Sequence, residues 1–318
     1  MIAEDARVQT MTLGDVEVTR IVEWHEPFLP PSAFLPTVPG EVWKDNEDRL
    51  APDHWQPETG LVVTALQSWV LRSAGLTVLV DTGAGAGRER PGMGPFHDAR
   101  SDFPGLLERA GIRPEDVDVV VNTHLHLDHV GWNTVEEDGE WVPAFPRAQY
   151  LVPAADDFHY GPDNAYGGGV QEVDRLVYED SVAPVHRAGQ AVLWEGHHRI
   201  DAHLTLESAP GHTPGSSVLR LSSGADRAVF VGDLLHSPVQ ILDPCHNSAA
   251  CLDPEQAAAS RRRILGRAAE ERELLVPAHF GGAGALEVRG NGASFALGPW
   301  AALTTNGKAA AADRVREA

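Results

Sequence analysis

The stretch Val117-Asp118-Val119-Val120-Val121-Asn122-Thr123-His124-Leu125-His126-Leu127-Asp128-His129-Val130-Gly131 changes character halfway, from a β-branched run to a cluster of imidazoles. Residues 117–121 read as a buried strand. Side chains alternate along an extended chain, so His124 and His126 point to one side and Leu125 to the other. Asp128 and His129 follow where the chain must leave the sheet, and a turn there swings them toward the same point from another direction. Imidazole and carboxylate donors converging on one point are what first-row divalent ions take.

Three later segments repeat this design, an apolar run ending in a polar residue among small or Gly/Pro neighbours. They are Ala209-Pro210-Gly211-His212-Thr213-Pro214-Gly215, Phe230-Val231-Gly232-Asp233 and Val276-Pro277-Ala278-His279. Each would place its ligand at a sheet's rim. Together with the first motif they offer five histidines and two aspartates, a set that a pair of divalent ions takes if one carboxylate bridges them. Neutral imidazole suits Zn²⁺ first, with Mn²⁺, Fe²⁺ and Co²⁺ left open.

The remaining segments are strands with helices between them. Residues 13–22 alternate after a Gly-Asp turn, and 61–72 and 76–81 are apolar runs joined by a hairpin signal at Ser73-Ala74-Gly75. Further strands are expected in AQYLVP, HLTLESAP, SVLRLSS, AVFVGD and ELLVPAH and again over 280–300, with helices over 103–111 and 254–271. Hairpin-ordered strands interrupted by helices suggest two sheets with helices outside, in one α/β domain spanning 1–318. Residues 24–59 carry seven prolines, which argue against helix or interior strand; with Trp24, His25, Phe28, Phe34, Trp43 and Trp55 the segment reads as an aromatic loop able to act as a lid. The glycine-rich loop after Asp81-Thr82-Gly83 has neither the spacing nor the following helix of a phosphate loop.

Composition bounds the partners. Lys plus Arg number 25 against 46 Asp plus Glu, a net charge of −21, which argues against a nucleic-acid surface. The run Arg261-Arg262-Arg263 is read as an exposed helix face. The N-terminus has no apolar signal region, no stretch approaches a membrane span, and Cys245 and Cys251 are too few for a disulfide framework. A cytoplasmic protein without membrane or nucleic-acid partners is expected, with a homodimer compatible with the sequence.

At this point the chain resembles the metallo-β-lactamase superfamily. HLHLDH at 124–129, GHTPGS at 211–216, GD at 232–233 and PAH at 277–279 carry the resemblance, with DTG at 81–83 preceding them. It implies an αββα sandwich with His124, His126 and His212 on one ion, Asp128, His129 and His279 on the other, and Asp233 between them. Asp233 is present and neither cysteine lies in a ligand motif, unlike the antibiotic-hydrolysing members. His126 stands where flavodiiron members carry glutamate. No inserted domain and no helical tail after His279 match the RNA-processing and glyoxalase II branches. The tract GDLLHSPVQILDP at 232–244 and the ending at 278–297 are similar to the methyl parathion hydrolase and acyl-homoserine lactonase branch.

That branch implies a dinuclear hydrolase of a lactone or carboxylic ester, with a hydroxide shared by the two ions as nucleophile and Asp128 or Asp233 carrying a proton to the leaving alkoxide. A phosphotriesterase with the same centre is the alternative, and a metal-binding protein without turnover a third. The substrate is expected to be small and neutral. Trp24, His25, Phe28, Trp132, Tyr160, Tyr166 and His236 are the candidates for its pocket; Trp132 stands where the family commonly has glycine, and His236 lies three residues beyond Asp233.

Overall fold

A computed structural model describes residues 4–164, 169–292 and 294–305. The first sheet contains β1 (Val8–Leu13), β2 (Val16–Pro27), β3 (Leu61–Ser73), β4 (Leu76–Val80), β5 (Val119–Val121), β6 (Gln149–Pro153) and β7 (Ala191–Trp194). The second contains β8 (His197–Arg199), β9 (Leu204–Ser208), β10 (Ser217–Ser223), β11 (Asp226–Gly232), β12 (Leu274–Pro277), β13 (Leu286–Asn291) and β14 (Ser294–Trp300). Strand β15 (Thr304–Thr305) returns to pair with β1, so the first sheet runs β7-β6-β5-β4-β3-β2-β1-β15 and the second runs in chain order from β8 to β14.

The alternation of side chains explains why these strands read as unbroken apolar runs. Val78, Val80, Val119, Val121 and Leu151 turn inward, where they meet Leu206, Leu219, Leu221, Phe230 and Val276 of the second sheet. Leu79, Val120, Tyr150 and Val152 turn outward against Phe103, Leu106 and Leu107 of helix α4 (Phe103–Arg109). On the far side Val218, Val229, Val231 and Leu275 receive Ile264, Leu265 and Ala268 of the longest helix, Pro254–Glu271. Both faces of both sheets are covered, so apolar residues prevail at successive positions, and buried polar exceptions such as Arg20, Gln67 and Arg220 are held by hydrogen bonds of their own. The layers are helix, sheet, sheet, helix, the αββα sandwich.

Two readings of the sequence need correction. Residues 24–59 are not an irregular loop. Trp24–Pro27 continue β2, and three short helices follow, α1 (Pro31–Phe34), α2 (Gly40–Asp45) and α3 (Glu47–Leu50). Pro31 opens α1, and Pro39 immediately precedes α2; proline's missing N–H costs nothing in the first turn, where no intrahelical partner exists. Leu35, Val38, Trp43, Leu50 and Trp55 are buried together against Val62 and Val239, which fixes the segment to the body. Arg261, expected on an exposed face, is fully buried: its guanidinium donates to the carbonyls of Leu234, Pro244 and His246, at 2.8, 2.6 and 2.7 Å. It ties Pro254–Glu271 to the segment that follows Asp233.

Candidate metal centre and cleft

The motif at 124–129 is shaped by what holds it. Strand β5 ends at Val121, and Leu125 enters the outer core while His124 and His126 face away from it. The one-turn helix α5 (Leu127–Val130) begins at His126 and swings Asp128 and His129 round. Its end is locked to the 81–83 turn, for Thr82 N donates to His129 O at 2.8 Å and Gly131 N to Gly83 O at 2.7 Å. Gly131 has no room for a side chain, since a Cβ there would lie 2.0 Å from the Ala84 backbone. Asp81 sits beneath the turn and accepts from Thr123 N, Thr123 Oγ1 and His129 Nδ1, each at 2.8 Å.

The other ligand candidates arrive from strand ends of the second sheet. His212 follows β9 on a loop that packs against the start of Pro254–Glu271, with Leu252 N donating to His212 O. Gly211 has φ of +132°, and a Cβ there would lie 2.1 Å from Ala257 N. Parallel strands β11 and β12 end side by side and deliver Asp233 and His279. His279 is clamped by β3 of the first sheet, donating from Nδ1 to Ala65 O at 2.9 Å while its carbonyl accepts from Ala65 N.

The seven residues form two groups of donors. His124, His126, His212 and Asp233 are one, and Asp128, His129 and His279 the other. Asp233 joins them: Oδ2 lies 3.2 Å from His212 Nε2 and 3.7 Å from His124 Nε2, while Oδ1 lies 2.8 Å from His279 Nε2 and 3.0 Å from His129 Nε2. Asp128 Oδ2 is 3.6 Å from His279 Nε2. Outward-facing nitrogens are engaged elsewhere, His126 Nε2 with the Tyr160 hydroxyl at 3.0 Å and His212 Nδ1 with Cys251 Sγ at 3.7 Å. Such outer partners fix the tautomer and ring orientation of a metal ligand.

The donor chemistry fits a pair of cations. His124 Nε2, His129 Nε2 and Asp233 Oδ1 are buried, and the short separations around them are not aligned as hydrogen bonds, a costly arrangement unless a cation satisfies them. Burial, reinforced by neighbouring histidines, holds His124 and His126 well below the ordinary imidazole range, so both are neutral. Burial also opposes charge on His129 and His279, yet Asp233 outweighs it and draws both upward; for His212, Asp233 and Cys251 together lift the ring to about 9. Burial would raise Asp233, but His129, His279, His236 and His124 hold it well below the usual carboxylate range. The centre therefore demands positive charge, supplied by protons where no cation is held.

These groups lie at the foot of a cleft of about 510 Å³. Trp24, Phe28, Phe34 and Phe96 make one wall through edge-to-face and tilted ring contacts 5.7–6.4 Å apart, and Phe34 continues it onto the His236 ring at 5.7 Å. Tyr160, Asp174 and residues 248–252 also line the cleft. Of the seven pocket candidates, Trp24, Phe28, Tyr160 and His236 line this cleft. His25 does not. It follows Trp24 along β2 and alternation turns it away, to Asp53 O at 3.2 Å and under Gly281. Trp132 is turned away too, stacked on Phe103 and donating from Nε1 to Glu23 Oε1 at 3.0 Å, because the turn after α5 has reversed the chain. It lines a separate apolar hollow with Leu107, Ile112 and Phe145. Tyr166 lies outside the described residues. Sequence reasoning missed Phe96 and the bracing acids Asp81 and Asp156; the DTG motif marked Asp81's position without its role.

Comparison with known proteins places this geometry in a class. Residues 63–279 match the family model of the metallo-β-lactamase superfamily, and the chain belongs to that superfamily. Over 116 residues it is 32% identical to the N-acyl homoserine lactonase AttM of Azorhizobium caulinodans, an alignment covering 34% of this chain and 37% of AttM, so the match spans little over a third of that relative. Two solved structures share the fold at 21% identity. The hydrolase AbOPH of the beta-lactamase superfamily superposes with a TM-score of 0.76 over 94% of this chain and 98% of its own. The dizinc quorum-quenching lactonase AidC, in complex with a product, gives 0.73 over 92% and 97%. Among the described residues no helix is long and apolar enough to cross a membrane.

Proposed function

We propose that this protein hydrolyses a small, neutral lactone or carboxylic ester at a centre of two divalent ions, Zn²⁺ first among the candidates. The observation that carries the reading is Asp233, whose two oxygens are divided between two groups of histidines at the foot of a largely apolar cleft. His124, His126 and His212 would hold one ion, Asp128, His129 and His279 the other, and Asp233 both. Bound there, the ions would supply a lowered pKa for water, from about 15.7 toward about 7, and polarisation of a carbonyl oxygen.

The chain's own residues do the rest. The Trp24–Phe28–Phe34–Phe96 wall takes an apolar substituent and excludes water from the reacting end. Asp128 is more open to the cleft than Asp233, with 18% of its side chain accessible against 6%, so its Oδ is the better placed to carry a proton to the departing alkoxide. Asp128, Asp174 and a net charge of −21 disfavour strongly anionic substrates. Lactonase activity in AttM and AidC supports the choice of bond.

An aryl phosphotriester is the second reading, favoured by the edge-to-face rings of the same wall. A panel of γ- and δ-lactones, aryl esters and neutral phosphotriesters, offered to protein of measured metal content, separates the two. Turnover of triesters alone would replace the first reading by the second, and no turnover with both ions bound would remove both.

A further inference from the structure

Helix α6 (Ala154–Tyr160) packs beneath the centre and carries a fully buried carboxylate, Asp156, in its first turn. Asp156 Oδ2 accepts from Leu125 N at 3.1 Å and from Thr213 Oγ1 at 2.8 Å, and its Oδ1 accepts from Gly215 N at 2.6 Å. Leu125 lies between His124 and His126; Thr213 and Gly215 follow His212. One carboxylate therefore pins the two loops that bear all three histidines of one donor group. The contact is close enough that Gly215 cannot gain a side chain, since its Cβ would sit 2.7 Å from Asp156 Cγ. One turn further along the same helix, Tyr160 reaches the outer nitrogen of His126 at 3.0 Å.

The second donor group is braced by other means. His129 is held by Asp81, which also reaches Thr123 beside His124; His279 is held by the Ala65 carbonyl, and Asp128 rides on α5. None of these partners belongs to α6.

Resting on the two-ion reading above, we propose that Asp156 is a positioning residue for the His124/His126/His212 ion alone, a support that the other ion does not share. A carboxylate accepts from all three donors at once. An amide at the same place presents one oxygen and one N–H₂, and the N–H₂ meets a backbone N–H that has no other acceptor nearby. The cost falls on the loop that the N–H₂ faces, and both loops carry ligands of the same ion.

The test is Co²⁺ titration of metal-stripped wild type, D156N and D81N, followed by the visible absorption of bound Co²⁺, with ions per chain counted by native mass spectrometry. Wild type takes up two ions. In D156N one ion binds within about threefold of wild type, and the other weakens by about 10- to 100-fold, the range expected for loss of an outer-shell partner. D81N, which loosens Thr123 beside His124 as well as His129, weakens both ions and so contrasts with the single-ion effect of D156N. T213V, which deletes a single donor, shifts the same ion as D156N by a smaller factor and decides the matter where D156N does not fold by circular dichroism. Equal weakening of both ions in D156N, or no change in a folded D156N, overturns the proposal. Wild type that takes up fewer than two ions overturns the two-ion reading as well.

Discussion

The Tyr160 hydroxyl stands 3.0 Å from Nε2 of His126, so the phenol and a candidate metal ligand are hydrogen-bonded across the edge of the cleft. Tyr160 is 3% exposed, and burial pushes its phenol well above the ordinary range, so it remains a neutral O–H group. Its hydroxyl is engaged by His126 before any substrate arrives. Y160F is therefore expected to weaken metal affinity by about 10-fold, with less effect on KM measured at saturating metal. A chelator-competition titration beside steady-state kinetics checks this; a raised KM with unchanged metal affinity would assign the hydroxyl to the substrate.

The aromatic wall carries apolar binding. Removing Phe28, which contacts Trp24, Phe34 and Phe96, is expected to raise KM for a substrate with a long apolar substituent by roughly 10-fold or more. For F28A the kcat should change little, because the lost contact is present equally in the ground and transition states. Comparing substrates with short and long substituents isolates the effect, which should vanish for the short one.

How far this could be read from the chain depends on how local each signal is. The ligand motifs are short segments ending strands, and alternation with Gly and Pro punctuation places them without knowledge of the rest. The aromatic wall is assembled from Trp24, Phe28, Phe34 and Phe96, which meet only after β2 bends at an irregularity between Val22 and Trp24. Neighbourhood in sequence misled twice. Trp132 adjoins the metal motif and His25 adjoins Trp24, yet a turn and an alternation send each elsewhere. The bracing acids were illegible for another reason: Asp156 is one of two adjacent aspartates in an ordinary helical sequence, and only contact with loops more than 30 positions distant gives it a role. Arg261 failed as an exposed residue because three carbonyls solvate its charge inside the fold.

A pH effect on stability is expected at a pair remote from the centre. His186 Nε2 lies 2.8 Å from Asp157 Oδ1, which also accepts from the Tyr178 hydroxyl, and the hydrogen bond to Asp157 raises the His186 pKa against the effect of burial. A histidine raised in the folded state binds its proton more tightly there than in the unfolded chain. Its contribution is fully present below the unfolded value of about 6.5 and is lost as pH rises through the higher folded value. Thermal melts of wild type and H186Q should thus differ at pH 5.5 and converge by pH 9; a constant difference would refute the pairing.

Packing between the sheets dominates stability. Phe230 is 1% exposed and stacks edge-on against Trp69 across the sandwich at 5.8 Å. F230A should cost about 3–5 kcal/mol in denaturant unfolding of the metal-free protein. A loss below about 1 kcal/mol would mean that the sheets close over the gap.

The central claim is that two divalent ions, joined through Asp233, open a neutral ester bond. It is tested most directly by restoring Zn²⁺ stepwise to metal-stripped protein and following γ-lactone and aryl-ester hydrolysis against ions bound per chain, with D233N in parallel. The account predicts no turnover without metal, activity that rises with the second ion, and a loss of more than about 100-fold in D233N. Protein that holds two ions and hydrolyses neither substrate, or that hydrolyses them equally well without metal, would contradict it.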